Sequence, residues 1–232
     1  MFSHNFSQDL EILLSQINKE PFAFTRFADG EHAVLEGQHI NGYDWTMESS
    51  FSLAKKDINS SLDYRDSRYF YGISCACCDP VKSQYYKNKL ADCLERVSYS
   101  NMFVNSNYSK AREWLSSIPS NSWLLCNEKA KNKSFPFKSN TIYFSSNIIK
   151  AYETEKNAIL SSLSPILQES NKIVLVSVGP LSEILIYHLW NHNKTNYYID
   201  IGSIIDPYIH GNTRIYHHDS SWLNRTCTSL YV

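Results

Sequence analysis

The stretch Thr25-Arg26-Phe27-Ala28-Asp29-Gly30-Glu31 places an arginine and two carboxylates where an apolar segment stops and an amphipathic one starts. Two acids separated by one glycine, Gly30, can close on a hard divalent cation. Mg²⁺ or Mn²⁺ needs only one or two carboxylates when phosphates and waters complete its shell. A guanidinium beside them can clamp a phosphate or orient the acids. Together these residue types suit chemistry on a nucleotide-activated substrate. Helix capping is the plainer alternative, since Asp at an N-cap and Glu in the first turn are favourable with no ligand; Arg26 then forms a simple ion pair.

Other positions fit an anionic ligand less specifically. Gly179-Pro180 follows an apolar run and precedes a helical pattern. A glycine there admits a ligand to the backbone, and the helix N-terminus behind it attracts anions. An ordinary turn with proline at the first helical position explains the same pair. The three-glycine dinucleotide fingerprint is missing, so a nicotinamide cofactor is not supported. Asp200-Ile201-Gly202-Ser203 and Asp206-Pro207 come after the next apolar strand. Either acid can grip a ribose hydroxyl or take a proton from an acceptor hydroxyl; turn chemistry is the alternative. Arg214-Ile215-Tyr216-His217-His218-Asp219 can bring charge or imidazole to a phosphate, or lie on the surface as a polar tail. Cys75, Cys77 and Cys78 lack the paired Cys-x-x-Cys spacing of a zinc site and read as small buried residues at a strand end. No serine occupies a nucleophile-elbow context, which disfavours acyl transfer.

The elements that must position these residues alternate between two periodicities. A helix is expected over Asp9–Ile17, with Ser7 or Asp9 as its cap, and a strand over Phe22–Phe27. Asp29 falls at an N-cap position, and Gly37 reads as the stop of the helix it opens. Residues 38–59 are polar and mixed, with Trp45, Met47, Phe51 and Leu53 as core candidates. Strands are expected over Tyr69–Cys75, Asn101–Val104, Trp123–Cys126 and Asn140–Phe144. Helices are expected over Lys82–Val97 and Ala111–Leu115, and over Ile148–Gln168 with an interruption near Pro165. The clearest unit is Lys172–Val178, a β-branched run suited to a strand buried on both faces. A helix with Leu181, Ile184, Leu185, His188 and Leu189 on one face follows, then a strand over Tyr197–Ile201. This alternation predicts an α/β, Rossmann-like, mainly parallel sheet with helices on both faces, and one domain over residues 1–232.

The chain has 232 residues, 43% of them hydrophobic, and a formal net charge of −1. That supports a packed core and gives no basic excess for nucleic acid. No segment approaches the roughly 20 apolar residues of a membrane helix, and the N-terminus lacks a secretory pattern. A soluble, cytoplasmic protein with reduced cysteines is the expectation.

Three motifs agree in order with one known family. Arg26-Phe-Ala-Asp29-Gly-Glu31 resembles the Arg-Phe-Gly-Asp-Gly-Glu signature of the bacterial GT-D-type glycosyltransferases, with Ala28 where glycine is usual. Val176-Ser-Val-Gly179-Pro180 and the helix behind it are similar to that family's late strand–Gly-Pro–helix, and Asp200-Ile-Gly202-Ser203 resembles its Asp-x-Gly motif. The resemblance implies a Rossmann-like fold distinct from the GT-A and GT-B types. It also implies a metal-dependent glycosyltransferase of the hexosyltransferase class, with Asp29 and Glu31 binding Mn²⁺ (or Mg²⁺) together with the diphosphate of a UDP-sugar. On that reading Arg26, Gly30, Gly179, Pro180, Asp200, Gly202, Ser203 and Arg214 contact the nucleotide-sugar. Asp206 is the choice for base, and the acceptor is a glycan or glycoconjugate. A methyltransferase-like enzyme using S-adenosylmethionine and a non-catalytic nucleotide- or sugar-binding module remain as alternatives.

Overall fold

The computed structural model describes residues 2–17, 19–41, 46–48, 51–211 and 214–231; Trp45 and the side chain of Met47, two expected core residues, lie outside that description. The strands, in chain order, are β1 (Ala23–Phe27), β2 (Ile40–Asn41), β3 (Thr46–Met47), β4 (Tyr69–Ile73), β5 (Val97–Tyr99), β6 (Ser122–Asn127), β7 (Ser139–Phe144), β8 (Ile173–Ser177) and β9 (Tyr197–Asp200). Seven of them form one sheet in the order β5-β4-β1-β9-β8-β6-β7, with every pairing parallel; β2 and β3 make a separate antiparallel pair.

Parallel neighbours need long crossovers, which helices supply. α1 (Phe6–Gln16) precedes β1. α2 (Asp29–Leu35) and α3 (Ser52–Leu62) lie between β1 and β4, α4 (Pro80–Lys89) between β4 and β5, and α5 (Tyr108–Ser116) before β6. α6 (Ile148–Ser161) and α7 (Ser164–Leu167) lead into β8, α8 (Ser182–His192) joins β8 to β9, and α9 (Asp206–Ile209) and α10 (Ser220–Leu223) follow the last strand. The fold is therefore the expected α/β, Rossmann-like architecture. The chain leaves β8 toward β9 but leaves the adjoining β6 in the opposite direction, toward β7. Such a reversal opens a crevice beyond the carboxyl ends of the strands.

Several elements depart from their expected bounds for local reasons. α1 begins at Phe6 because Asn5 caps it, its Oδ1 accepting the Gln8 amide at 3.1 Å. Asp9 turns inward, accepting from the Ser3 amide and hydroxyl and from the Ser98 hydroxyl. α2 has Ala28, not Asp29, in its cap position. It ends as expected at Gly37, where Gln38 N bonds Ala33 O and Gly37 N bonds Val34 O in a Schellman closure. The polar stretch before residue 60 conceals α3, which turns Ala54, Ile58, Ser61 and Leu62 inward. Its first turn is capped from a distance: Glu153 of α6 accepts Leu53 N at 3.2 Å and Ala54 N at 2.8 Å.

The helix expected over Lys82–Val97 starts two residues earlier, at Pro80, and ends earlier, at Lys89. Asp79 caps α4 through the Lys82 amide, Pro80 takes the first turn, and Val97 joins the sheet as edge strand β5. Asn101–Val104 is a turn rather than a strand: Val104 N bonds Asn101 O, and Asn105 follows at a φ of +57°. The long helical pattern after Ile148 breaks at Ser161 and restarts as α7 with Pro165 in its first turn, as expected.

The buried side chains form one continuous cluster rich in aromatics, including Phe22, Phe24, Phe27, Tyr69, Tyr71 and Trp190, with Phe51 and Leu53 at its margin. No helix among the described residues is long and apolar enough to cross a membrane. Gly72 of β4 stands beside Arg26 in the register. A Cβ on it would lie 2.9 Å from Phe24 Cζ and 3.1 Å from both Ser100 Cα and Tyr99 O. Gly72→Ala is expected to lower stability by about 1–3 kcal/mol, the common cost of overpacking, measured by urea unfolding; an unchanged midpoint would show slack between β4 and β5.

Candidate functional site

The carboxyl ends of β1, β9, β8 and β6 open onto a cleft of roughly 450 Å³. Arg26, Asp29, Gly30 and Glu31 line one wall, and Gly179, Pro180, Asp200, Gly202, Ser203, Asp206 and Arg214 line the rest. The structure thus brings every residue nominated for the nucleotide-sugar site to one place, although they fall in three separate parts of the chain.

Arg26 is fixed on three sides. Its Nε donates to Asp200 Oδ2 at 3.1 Å, linking β1 to β9, and its Nη1 donates to Ser100 O at 2.6 Å beyond β5. Gly202 lies across the guanidinium at a φ of +53°, and any Cβ there would collide with Arg26 Nη1, Nη2 and Cζ. Asp200 accepts from Gly202 N on its other oxygen at 2.8 Å and is buried. The Asp-x-Gly spacing therefore has a local physical cause: the acid holds the arginine and the turn, while the glycine makes room for the guanidinium. Burial alone would push the Arg26 pKa down; Asp200 beside it more than reverses this and raises it.

Acid is in surplus around that single guanidinium. Glu31 is buried, and its Oε2 accepts Ala28 N at 2.7 Å, closing the first turn of α2. Burial pushes its carboxyl up to about 7, with Asp200 adding to the rise. Glu183, in the first turn of α8, is fully buried, close to Glu31 and Asp200. Burial, then the charges of Glu31 and Asp200, raise its pKa well above its usual value, which favours the neutral acid. Sequence reasoning did not single out Glu183. The signal was an acid set in the apolar run Leu181-Ser182-Glu183-Ile184-Leu185.

Asp29 has the opposite environment. Its side chain is 85% exposed at the cleft mouth, 3.1 Å from Lys82 Nζ, and Lys82 is also paired with Asp79. On the far wall Ser177 Oγ donates to Gly202 O at 2.6 Å, tying β8 to the turn after β9, and Gly179 turns the chain at a φ of +60°. Asp206 is buried and its Oδ2 lies 3.2 Å from Arg214 Nε; Ser203 and Tyr216 share a hydroxyl hydrogen bond. His217 and His218 do not converge: His217 is buried against Tyr108 and Tyr216, and burial pushes its pKa down to about 4, while His218 is exposed.

The cysteines correct one expectation. Cys75 is buried, but Cys77 and Cys78 are exposed, so they are not core filling. Cys227, distant in sequence, completes a group of four thiols.

No family model matches the chain, and no curated protein matches its sequence. Solved structures share its fold. One, described as a new glycosyltransferase (DUF1792) from Streptococcus sanguinis, is 15% identical with a TM-score of 0.58, over 86% of this chain and 80% of that one. A second, described as showing that the highly conserved domain of unknown function 1792 has a distinct glycosyltransferase fold, is 14% identical with a TM-score of 0.58, over 85% and 76%. A selenomethionine-substituted structure of domain of unknown function 1792 is 13% identical with a TM-score of 0.60, over 96% and 88%. The chain has a glycosyltransferase-like fold.

Two outcomes test this electrostatic layout. Gly202→Ala is expected to cost about 2–4 kcal/mol, combining a side chain at positive φ with displacement of a packed guanidinium, read from thermal unfolding. A folded-state pKa raised above the unfolded value gives stability that is complete at low pH and lost as pH rises. Glu183→Gln should therefore gain in melting temperature over the natural protein on going from about pH 5 to about pH 8; a constant difference would mean that Glu183 does not hold its proton.

Proposed function

We propose that this protein is a metal-dependent glycosyltransferase of the GT-D type, moving a sugar from a nucleotide-sugar donor, a UDP-sugar, to a glycan or glycoconjugate acceptor. The observation that carries this reading is the acid surplus of a cleft at the carboxyl ends of the strands, in a glycosyltransferase-like fold. Asp29, Glu31, Asp200 and Asp206 line it together with Arg26 and Arg214. A diphosphate entering such a wall meets net repulsion unless a cation accompanies it.

The donor set fits a hard ion. Asp29 offers an exposed carboxylate at the mouth, and Glu31 has one oxygen committed to Ala28 N. Carboxylate oxygens with phosphates and waters are what Mn²⁺ and Mg²⁺ prefer. Asp29 and Glu31 would hold it. Such an ion supplies Lewis-acid neutralisation of the departing nucleoside diphosphate.

The chain's own residues do the rest. Arg26, immobilised by Asp200 and Ser100 O, directs fixed positive charge at the cleft and loses no rotamer freedom when an anion arrives. Asp200 is thereby a positioning residue for Arg26 rather than a ribose contact. Gly179 has no side chain to keep a phosphate from the backbone ahead of α8. Asp206, held by Arg214, is the carboxylate assigned to the acceptor hydroxyl.

The test is release of free nucleotide from a panel of UDP-sugars. Activity should vanish with EDTA and return with Mn²⁺. Asp29→Asn should lower kcat by roughly 10²-fold, the order seen when one charge-stabilising group is removed. Full turnover in the Asp29→Asn, Glu31→Gln double variant would overturn the metal assignment.

A further inference from the structure

Away from the acid-lined cleft, four thiols converge where the carboxyl end of β4 meets the C-terminal segment. The Sγ atoms of Cys75, Cys77, Cys78 and Cys227 all lie within 4.8 Å of one another. Cys75 to Cys227 and Cys77 to Cys75 are each 3.5 Å apart, and Cys78 to Cys227 is 4.0 Å. A tetrahedral ion with Zn–S bonds of about 2.3 Å spaces its sulfurs by about 3.8 Å along each edge. The observed separations bracket that edge.

Contacts that do not involve sulfur hold the four in place. Ala76 N bonds Leu230 O at 3.1 Å, Asp79 N bonds Cys75 O at 2.9 Å, and Ser83 Oγ donates to Leu230 O at 2.6 Å. The surroundings also suit thiolate. Asn101 Nδ2 donates to Cys227 Sγ at 3.1 Å, and the buried Asn105 amide points at the same sulfur from 3.9 Å. Donors aimed at a ligating sulfur are the usual outer shell of a metal–thiolate centre.

We propose that Cys75, Cys77, Cys78 and Cys227 bind one structural Zn²⁺ as a closed four-thiolate site. Four sulfur donors select a soft or borderline ion and leave no open position for substrate. Binding forms four Zn–S bonds and breaks four S–H bonds; the four protons go to solvent, and nothing is oxidised or reduced. The site is separate from the hard-ion chemistry of the cleft. Its structural task is to fasten the C-terminal segment to the turn that leads into α4, where Asp79 and Lys82 lie beside Asp29. Cys227 also touches Asn101, the neighbour of the residue whose carbonyl anchors Arg26.

Metal content tests this independently of catalysis. Intact protein expressed with zinc and dialysed without chelator should hold close to one zinc per chain by elemental analysis. A mercurial that titrates thiols should release it. Cys78→Ser and Cys227→Ser should each lose most of the zinc, whereas Cys126→Ser, a buried thiol outside the group, should keep it. If Cys227→Ser fails to fold, Co²⁺ loaded into the natural protein decides: a tetrahedral four-thiolate site gives intense sulfur-to-cobalt charge-transfer bands. Zinc far below one per chain with four free thiols, two disulfides by mass, iron in place of zinc, or cobalt spectra without thiolate bands would each overturn the proposal.

Discussion

The cleft is organised around the ion pair between Arg26 and Asp200. A guanidinium enclosed by backbone must be neutralised, and removing one partner of such a pair costs about 3–5 kcal/mol because the other charge is left stranded. Asp200 neutralises Arg26 and also holds the turn that carries Gly202. Ser100 O fixes the far edge of the same guanidinium. One side chain thus sets the relative positions of β1, β9 and the segment after β5. Glu31 and Glu183 crowd the same charge, so one arginine cannot satisfy all the nearby acids, and burial pushes the Glu183 pKa well above its usual value. The tension is local, among side chains buried beside Arg26.

Where one stretch of sequence contained its own cause, the sequence was legible. Ile173–Val176 is β-branched and apolar, and it is a doubly buried strand. Gly37 stops α2 because the Schellman closure needs only residues close by. The gathering of Arg26, Asp29, Gly179, Asp200 and Asp206 at one end of the sheet followed from strand polarity, since each comes just after or at the end of a parallel strand. What stayed hidden depended on partners far along the chain. α3 is polar over most of its surface and takes its cap from Glu153 of α6, which no local window contains. Val97 continues a helical pattern yet adds to the sheet edge beside β4. Glu183 looked like one polar residue in a helix, and its significance comes from Glu31 and Asp200 across the fold. Cys227 could not be joined to Cys75, Cys77 and Cys78 by spacing, because no regular interval relates them.

The two proposed ligand sites differ in chemical hardness, which would keep their guests apart. Carboxylate oxygens at the mouth favour ions that retain water, while the thiol group favours ions that shed it. The turn running from Cys75 to Asp79 connects them mechanically. Its first residue belongs to the sulfur group, and its last caps α4 and pairs with Lys82, which reaches Asp29. A rigid turn there keeps a lysine beside the exposed acid, and the sulfur group and the cleft share that framework without sharing a ligand.

The strand order has a consequence for how the chain is made. β1 lies in the middle of the sheet, yet its neighbour β9 is the last strand, and the partners of the Arg26–Asp200 pair are 174 residues apart. At about 5–20 residues per second, a ribosome delivers Asp200 about nine to thirty-five seconds after Arg26. Throughout that interval the nascent chain holds a central strand with its β9 edge unpaired and an arginine without its counterion. Native closure of the sheet thus waits until β9 has been made, and a nascent chain cut short before it lacks both the closing strand and the charge that completes the centre.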